Sequence, residues 1–187
     1  MRSPGDAAAA LTFYTIGHST RPLEVFLAIL LQNGIETLVD VRAFPRSRRY
    51  PQFDQETLSA ALLSRGIGYR HLSALGGRRP RLRENSPNRG WREAGFRNYA
   101  DYMATPAFAT GLAELLAIAQ HSRVALMCAE AVPWRCHRRL IADCLLAKGH
   151  AVFDILGPAP ARPHALTPFA IPAPPCVIYP EEHAHDG

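Results

Sequence analysis

Four short apolar runs and a fifth of mixed character, each followed by a stretch of different periodicity, limit what this chain can fold into. They occupy residues 11–16, 37–41, 68–72, 123–128 and 151–155, each five or six residues long. Runs this short suit strands; the one at 37–41 is apolar enough to be covered on both faces. Between them the apolar residues recur at helical spacing, as Leu23, Phe26, Leu27, Leu30 and Leu31 do. Strand and helix in alternation predict an α/β fold: a mainly parallel sheet with helices on both faces, a Rossmann-like three-layer sandwich.

The 187 residues suit one domain with a real core. Residues 1–10 read as a disordered leader, residues 11–157 as the α/β domain, and residues 158–187 as a proline-rich extended tail that adds little core. Eight of the sixteen prolines fall between Pro158 and Pro180, which is the basis for that last reading. Helices are expected from Pro22 to the Asn33-Gly34 stop, from an Asp54 N-cap to about Ser64, from Thr105-Pro106 to about Gln120, and across 133–148. Residues 78–97 read as a long irregular excursion. No apolar stretch is long enough to cross a bilayer and the N-terminus lacks a signal-peptide layout, so the expectation is a cytoplasmic protein. In that compartment Cys128, Cys136, Cys144 and Cys176 are expected as free thiols, with pairing of Cys128 and Cys136 under oxidation left open.

Polar clusters interrupt the apolar runs at one end only. His18-Ser19, Asp40 to Arg42, Tyr69 to His71, Gly76-Gly77 and Cys128 to Glu130 all follow or close expected strands. In an open parallel sheet those ends line one crevice. The densest cluster is C-x-E-x5-C-H-R, made by Cys128, Glu130, Cys136, His137 and Arg138. Cys128, between a strand and a helix start, reads as a nucleophile or as an inert buried thiol. Glu130 reads as a general acid or base, or as a salt-bridge partner of Arg42 or Arg138. Arg138, in the first turn of the expected helix, suits an anion held there. Cys144 falls on the apolar side and reads as core.

His18 is a candidate acid, base or substrate donor. Asp40 joins it as a candidate proton-handling group, with Arg42 on the same side of the strand; the alternative is an ion pair of Asp40 and Arg42 with each other or with Arg21. Ser19, Arg21, Arg42 and Arg138 are the candidate anion-binding groups. Tyr69, His71 and Tyr99 are candidate stacking groups or aromatic core. A metal held by Cys128, Cys136 and His137 with Glu130 is the minority reading, because the cysteines lack the C-x2-C pairing of structural zinc sites. The residues name no cofactor.

Charge adds one constraint. Between Arg46 and Arg97 lie twelve arginines against Asp54, Glu56, Glu84 and Glu93, so this segment carries +8 of a chain whose net charge is +5. Lys148 is the only lysine. Arginine codon preference of a GC-rich genome is one explanation; a face for anions is the other, since guanidinium pairs bidentately with phosphate and carboxylate.

Five ordered motifs carry a family resemblance. T-I-G-H-S-T-R at 15–21, L-V-D-V-R-x-F-P-R-S at 38–47, Y-R-H-L-x-x-L-G-G at 69–77, Y-x-x-Y-M at 99–103 and M-C-A-E-x-x-P-x-x-C-H-R at 127–138 together resemble the DUF488 family over roughly residues 12–156. The resemblance implies a bacterial or archaeal α/β domain with these signature residues, and no activity. A weaker likeness to rhodanese and cysteine-phosphatase domains fails in detail. The loop from Ala129 to Trp134 has no glycine, is one residue longer than the phosphatase spacing, and carries Glu130, whose carboxylate repels a bound anion.

The expected function is therefore an enzyme acting on an anionic, nucleotide- or nucleic-acid-like substrate at a strand-end crevice. The alternatives are a non-catalytic nucleic-acid or nucleotide-binding module using residues 46–97, and a metal or redox site at Cys128 and Cys136.

Overall fold

In the computed structural model, which describes residues 9–181, every expected strand forms within a residue of its expected bounds. β1 (Thr12–Gly17), β2 (Thr37–Asp40), β3 (Gly68–His71), β4 (Val124–Cys128) and β5 (Ala151–Ile155) pair in parallel in the order β3-β2-β4-β1-β5. The two-residue β6 (Arg162–Pro163) adds antiparallel to β5.

Strand order builds the crevice. The chain leaves β1, skips one position to lay down β2 and β3, and later inserts β4 into the gap. Three carboxyl ends then lie side by side, with Cys128 opposite Gly17 and Met127 opposite Asp40. A crossover of this kind leaves room for a ligand beyond the strand ends.

α1 (Leu23–Gln32) and α2 (Gln55–Ser64) cover one face, packing Phe26, Leu30, Leu58 and Leu62 onto Ile16, Leu38 and Met127. α3 (Ala94–Tyr102), α4 (Pro106–Ala119) and α5 (Arg138–Ala147) cover the other, where Tyr99, Leu112, Ile141 and Leu145 meet Phe13, Val39 and Leu126. β4 is buried along its whole length because both layers press on it. Gly34, with φ 65, ends α1, and the Thr105 hydroxyl accepts the Phe108 amide at 3.3 Å to start α4.

Several sequence expectations fail, each for a visible reason. Residues 133–148 are not one helix: Pro133–Arg135 form a 3-10 turn, Cys136 is extended (φ −137, ψ 145), and α5 begins only at Arg138. Cys136 is therefore free of helical geometry, and its side chain meets that of His137 at the start of α5, with Cys136 Sγ 3.5 Å from His137 Nδ1. The excursion at 78–97 ends early, because α3 starts at Ala94 and buries Tyr99, Ala100 and Tyr102. Asp54 flanks α2 without capping it, since its carboxylate accepts the Ser47 amide instead, at 2.5 Å.

The proline-rich tail, as far as residue 181, belongs to the core. β7 (Ile171–Ala173) and β8 (Cys176–Ile178) form a hairpin that lays Cys176, Val177 and Tyr179 against α5. That packing brings the Cα atoms of Cys144 and Cys176 to 4.8 Å, and the two form a disulfide. Only Cys128 and Cys136 are free thiols, so the expectation of four is corrected. Residues 1–8 of the expected leader and 182–187 of the tail lie outside the described residues. Among those described, no single helix is long and apolar enough to cross a membrane.

Candidate active site

Cys128 closes β4 at the floor of a cleft of about 900 Å³ whose walls include His18, Arg42, Glu130, Cys136 and His137. The loop after Cys128 folds back over β1. The His18 and Ser19 amides donate to the carbonyls of Cys128 and Ala129, each at 3.0 Å. A Cβ at Gly17 would overlap the Glu130 carbonyl, so the loop can settle here only over glycine. Ser19 adopts the left-handed conformation at φ 50, a local strain of about 1–3 kcal/mol that the surrounding bonds hold in place.

Arg138 lies under this loop, fully buried, and does not reach the cleft wall. Its Nη1 donates to Cys128 Sγ at 2.5 Å and to the Glu130 carbonyl at 2.6 Å, and Nη2 donates to the Ala131 carbonyl at 3.2 Å. Its backbone amide points at Cys136 Sγ, 3.5 Å away. The guanidinium thus ties the loop together from behind and sets a positive charge against the sulfur. Burial alone would push the Cys128 thiol up. The Cys136 hydrogen bond, the Arg138 charge and a backbone contact with Glu130 outweigh it and bring the thiol down to about 7. Cys136 moves the opposite way: burial and the neighbouring sulfur push its pKa well up, so it stays protonated.

His18 is buried, with its ring stacked on Phe53 at a centroid distance of 4.3 Å. Its pKa falls to about 4, first through burial, against a smaller opposing effect of the Ser19 carbonyl. The imidazole is therefore neutral near pH 7. Nδ1 carries the hydrogen, because it lies 2.9 Å from the Ser19 carbonyl, and Nε2 faces Arg42 Nη1 at 3.5 Å.

Asp40 sits behind the wall with no exposure. Its carboxylate accepts Arg42 Nη2 at 2.6 Å, Arg42 Nε at 2.9 Å, the Arg42 amide at 3.0 Å and the Tyr69 hydroxyl at 2.7 Å. A carboxylate with all its lone pairs occupied orients Arg42, which does line the cleft. The ion pair of Asp40 with Arg42, expected from the sequence as the alternative to proton handling, is the one that forms. Tyr69 is held by Asp40, and burial followed by that carboxylate raises its phenol pKa. His71 Nε2 meets the Arg42 carbonyl at 2.9 Å, and the Tyr99 hydroxyl donates to the Leu75 carbonyl at 2.8 Å. Arg21 donates to the carbonyls of Gly17 and Leu156. Arg21, Asp40, Tyr69, His71, Tyr99 and Arg138 frame the cleft without lining it.

Glu130 is exposed on the cleft wall, and its carboxylate makes no ion pair among the described residues. His137 Nε2 donates to the Val41 carbonyl at 2.9 Å, which leaves Nδ1 as the acceptor facing Cys136. Burial lowers its pKa to about 4. Gly77 packs against that ring so closely that a Cβ would strike Nδ1. Among the described residues no three His, Cys, Asp or Glu side chains are grouped to hold a cation. The rim holds Arg46, Arg49 and Arg78 of the arginine-rich segment read above as a face for anions, together with Phe44, Phe96 in α3 and Arg135, which the sequence reading did not single out as site residues. The run A-F-P-R-S-R-R-Y following a strand end was the available signal.

The sequence profile of the domain of unknown function DUF488 matches residues 22–145. The chain belongs to that family. The match takes in Arg42, Cys128, Glu130, Cys136 and Arg138, while His18 precedes it and the tail follows it. No curated protein and no solved structure matches this DUF488 protein.

Proposed function

We propose that this DUF488 protein is an enzyme whose Cys128 thiolate attacks an anionic substrate of nucleotide or nucleic-acid type. The observation that carries the reading is the sulfur's position: open cleft in front, Arg138 Nη1 behind at 2.5 Å. A guanidinium held against a thiol keeps it ionised near neutral pH, the form that acts as nucleophile. Glu130, exposed beside it and unpaired among the described residues, is the group able to move a proton. Arg42, fixed by Asp40 and His18, presents a guanidinium to the same cleft.

The rim supports the substrate class. Arg42, Arg46, Arg49, Arg78 and Arg135 line the cleft, against the two carboxylates of Glu93 and Glu130. Phe44 is 66% exposed at the same rim, and Trp134, in the loop after β4, is 54% exposed. Arg78 lies over the Phe44 ring at 5.7 Å and Arg49 over Tyr50 at 5.6 Å. Flat aromatic surface beside guanidinium groups suits bases that stack and phosphates that pair.

The test pairs chemistry with turnover. Iodoacetamide labelling of Cys128 in the folded protein should inflect near pH 7, well before the range of an ordinary thiol. Cys128→Ser should abolish turnover in a panel of nucleoside phosphates and short single-stranded oligonucleotides read by chromatography. A thiol that labels only above about pH 8.5, as an unperturbed cysteine does, would remove the nucleophile.

Exposed Arg81, Arg83, Arg89 and Arg92 extend the positive surface beyond the cleft and favour one second reading, a nucleic-acid-binding module without catalysis. Oligonucleotide binding with no turnover, unchanged in Cys128→Ser, would establish it. Either way, replacing Arg46, Arg49, Arg78 and Arg135 with glutamine should weaken oligonucleotide binding and reduce its salt slope by about one for each phosphate left unpaired. Stability should barely change, since all four are exposed. Arg79 does not belong in that set. It donates to the carbonyls of Gly76 and Ser73 and lies over the Tyr102 ring at 3.8 Å, a structural clamp for the turn. Unchanged affinity at low salt would return the arginines to codon preference.

A further inference from the structure

We infer that Cys128 and Cys136 form a modification site for hydroperoxides, in which a peroxide oxidises Cys128 and Cys136 captures the product as an intramolecular disulfide. The inference rests on the thiolate assigned to Cys128 above and is independent of the substrate. Three observations carry it. Both residues line the same cleft and are the two free thiols among the described residues. One residue touches both: Arg138 meets Cys128 Sγ through its guanidinium at 2.5 Å and Cys136 Sγ through its backbone amide at 3.5 Å. Cys136 lies in extended chain between the 3-10 turn and α5, so its sulfur can move toward Cys128 without unwinding a helix. The ring that the bond closes is short, and its entropic cost is correspondingly small.

His137 completes the site. Its Nε2 hydrogen is committed to the Val41 carbonyl, and its Nδ1 lone pair faces Cys136 Sγ at 3.5 Å. The single Cys136 proton thus has two acceptors, the Cys128 thiolate and this imidazole. In the first step the Cys128 thiolate attacks the outer oxygen of the peroxide. The S–O bond forms, the O–O bond breaks, the alkoxide or hydroxide leaves and takes a proton from water, and the sulfur becomes a sulfenic acid, oxidised by two electrons. In the second step the Cys136 sulfur attacks the sulfenic sulfur, the S–S bond forms, the S–O bond breaks, and the departing hydroxide takes the Cys136 proton to leave as water. Without Cys136 nothing stops a second peroxide from carrying Cys128 to the irreversible sulfinic acid.

The protein would be reduced with a phosphine, freed of reductant, exposed to hydrogen peroxide, alkylated and digested with trypsin. Cleavage after Arg123, Arg135 and Arg138 places the two cysteines in separate peptides, residues 124–135 and 136–138. The expected result is a new cross-link between these two peptides, lighter by two hydrogens and distinct from the Cys144–Cys176 pair, with complete loss of Cys128 alkylation and complete recovery after reductant. In Cys136→Ser, Cys128 should progress to sulfinic acid and recovery should be lost. Reduced wild-type Cys128 that alkylates readily at pH 7 yet gives no cross-link, or overoxidises as fast as in Cys136→Ser, overturns this inference and leaves the nucleophile reading standing. Reduced Cys128 that does not alkylate at pH 7 overturns both.

Discussion

Arg138→Met is expected to destabilise the protein by about 3–5 kcal/mol, the range for removing one partner from a buried charged pair. The side chain is fully buried, and its loss leaves the Cys128 sulfur and the Glu130 and Ala131 carbonyls without their donor. Methionine fills much of the volume, so the cost falls on unsatisfied acceptors and not on a cavity. A second effect separates this role from plain packing. Without the guanidinium the Cys128 thiol should titrate above its present value near 7, because a positive charge favours the thiolate. Urea unfolding measures the first effect and the pH profile of alkylation the second. Adding Cys128→Ala should recover part of the lost stability, since no thiolate is then stranded. An Arg138→Met protein of unchanged stability and unchanged labelling profile would dismiss Arg138 as the organiser of the loop.

The strands and the crevice were legible because each depends on a local pattern. A strand covered on both faces is continuously apolar, as Val124 to Met127 are, and a polar residue at its carboxyl end stands out against that background. His18, Cys128 and Glu130 were readable for that reason. The insertion of β4 between β1 and β2 was not, because pairing between residues 13 and 124 leaves no trace in either neighbourhood. Arg138 was misplaced through attention to its charge. It precedes Ile141, Ala142 and Leu145 by three, four and seven residues, the spacing of the buried face of α5. Tyr69 and Tyr99 were ambiguous for a different reason: their hydroxyls bond to Asp40 and to the Leu75 carbonyl, partners that only the tertiary fold supplies. In the tail, prolines at 168, 172, 174 and 175 set the composition, while Ala170, Cys176, Val177 and Tyr179 do the packing. Composition reports chain stiffness; it does not report which few side chains point inward.

Asp143→Ala should release that tail. Asp143 is fully buried in α5, and its carboxylate accepts His164 Nε2 at 3.1 Å, the Thr167 amide at 3.1 Å, the Thr167 hydroxyl at 2.6 Å and the Tyr179 hydroxyl at 2.8 Å. Alanine leaves four donors without their acceptor and the His164 charge with Asp154 alone, which costs about 3–5 kcal/mol. The Cys144–Cys176 bond keeps the segment tethered, so the expected state is a loosened tail on a folded sheet. Trp91 reports it, because its ring packs against Phe169 and Tyr179 at centroid distances of 5.0 and 5.3 Å. The same cluster makes wild-type stability depend on pH. Burial alone would lower the His164 pKa, but Asp143 on one nitrogen and Asp154 on the other, at 2.7 Å, raise it to about 9. A cation whose pKa rises from 6.5 to about 9 on folding contributes its full stabilisation below pH 6.5 and loses it as the pH climbs through 9. Urea midpoints should therefore fall between those values in the wild type, and fall less in Asp143→Ala, where His164 keeps only Asp154. A flat wild-type profile across that window would mean that His164 is neutral in the folded protein, and that the tail is held by packing, the disulfide and the Thr167 and Tyr179 hydrogen bonds to Asp143.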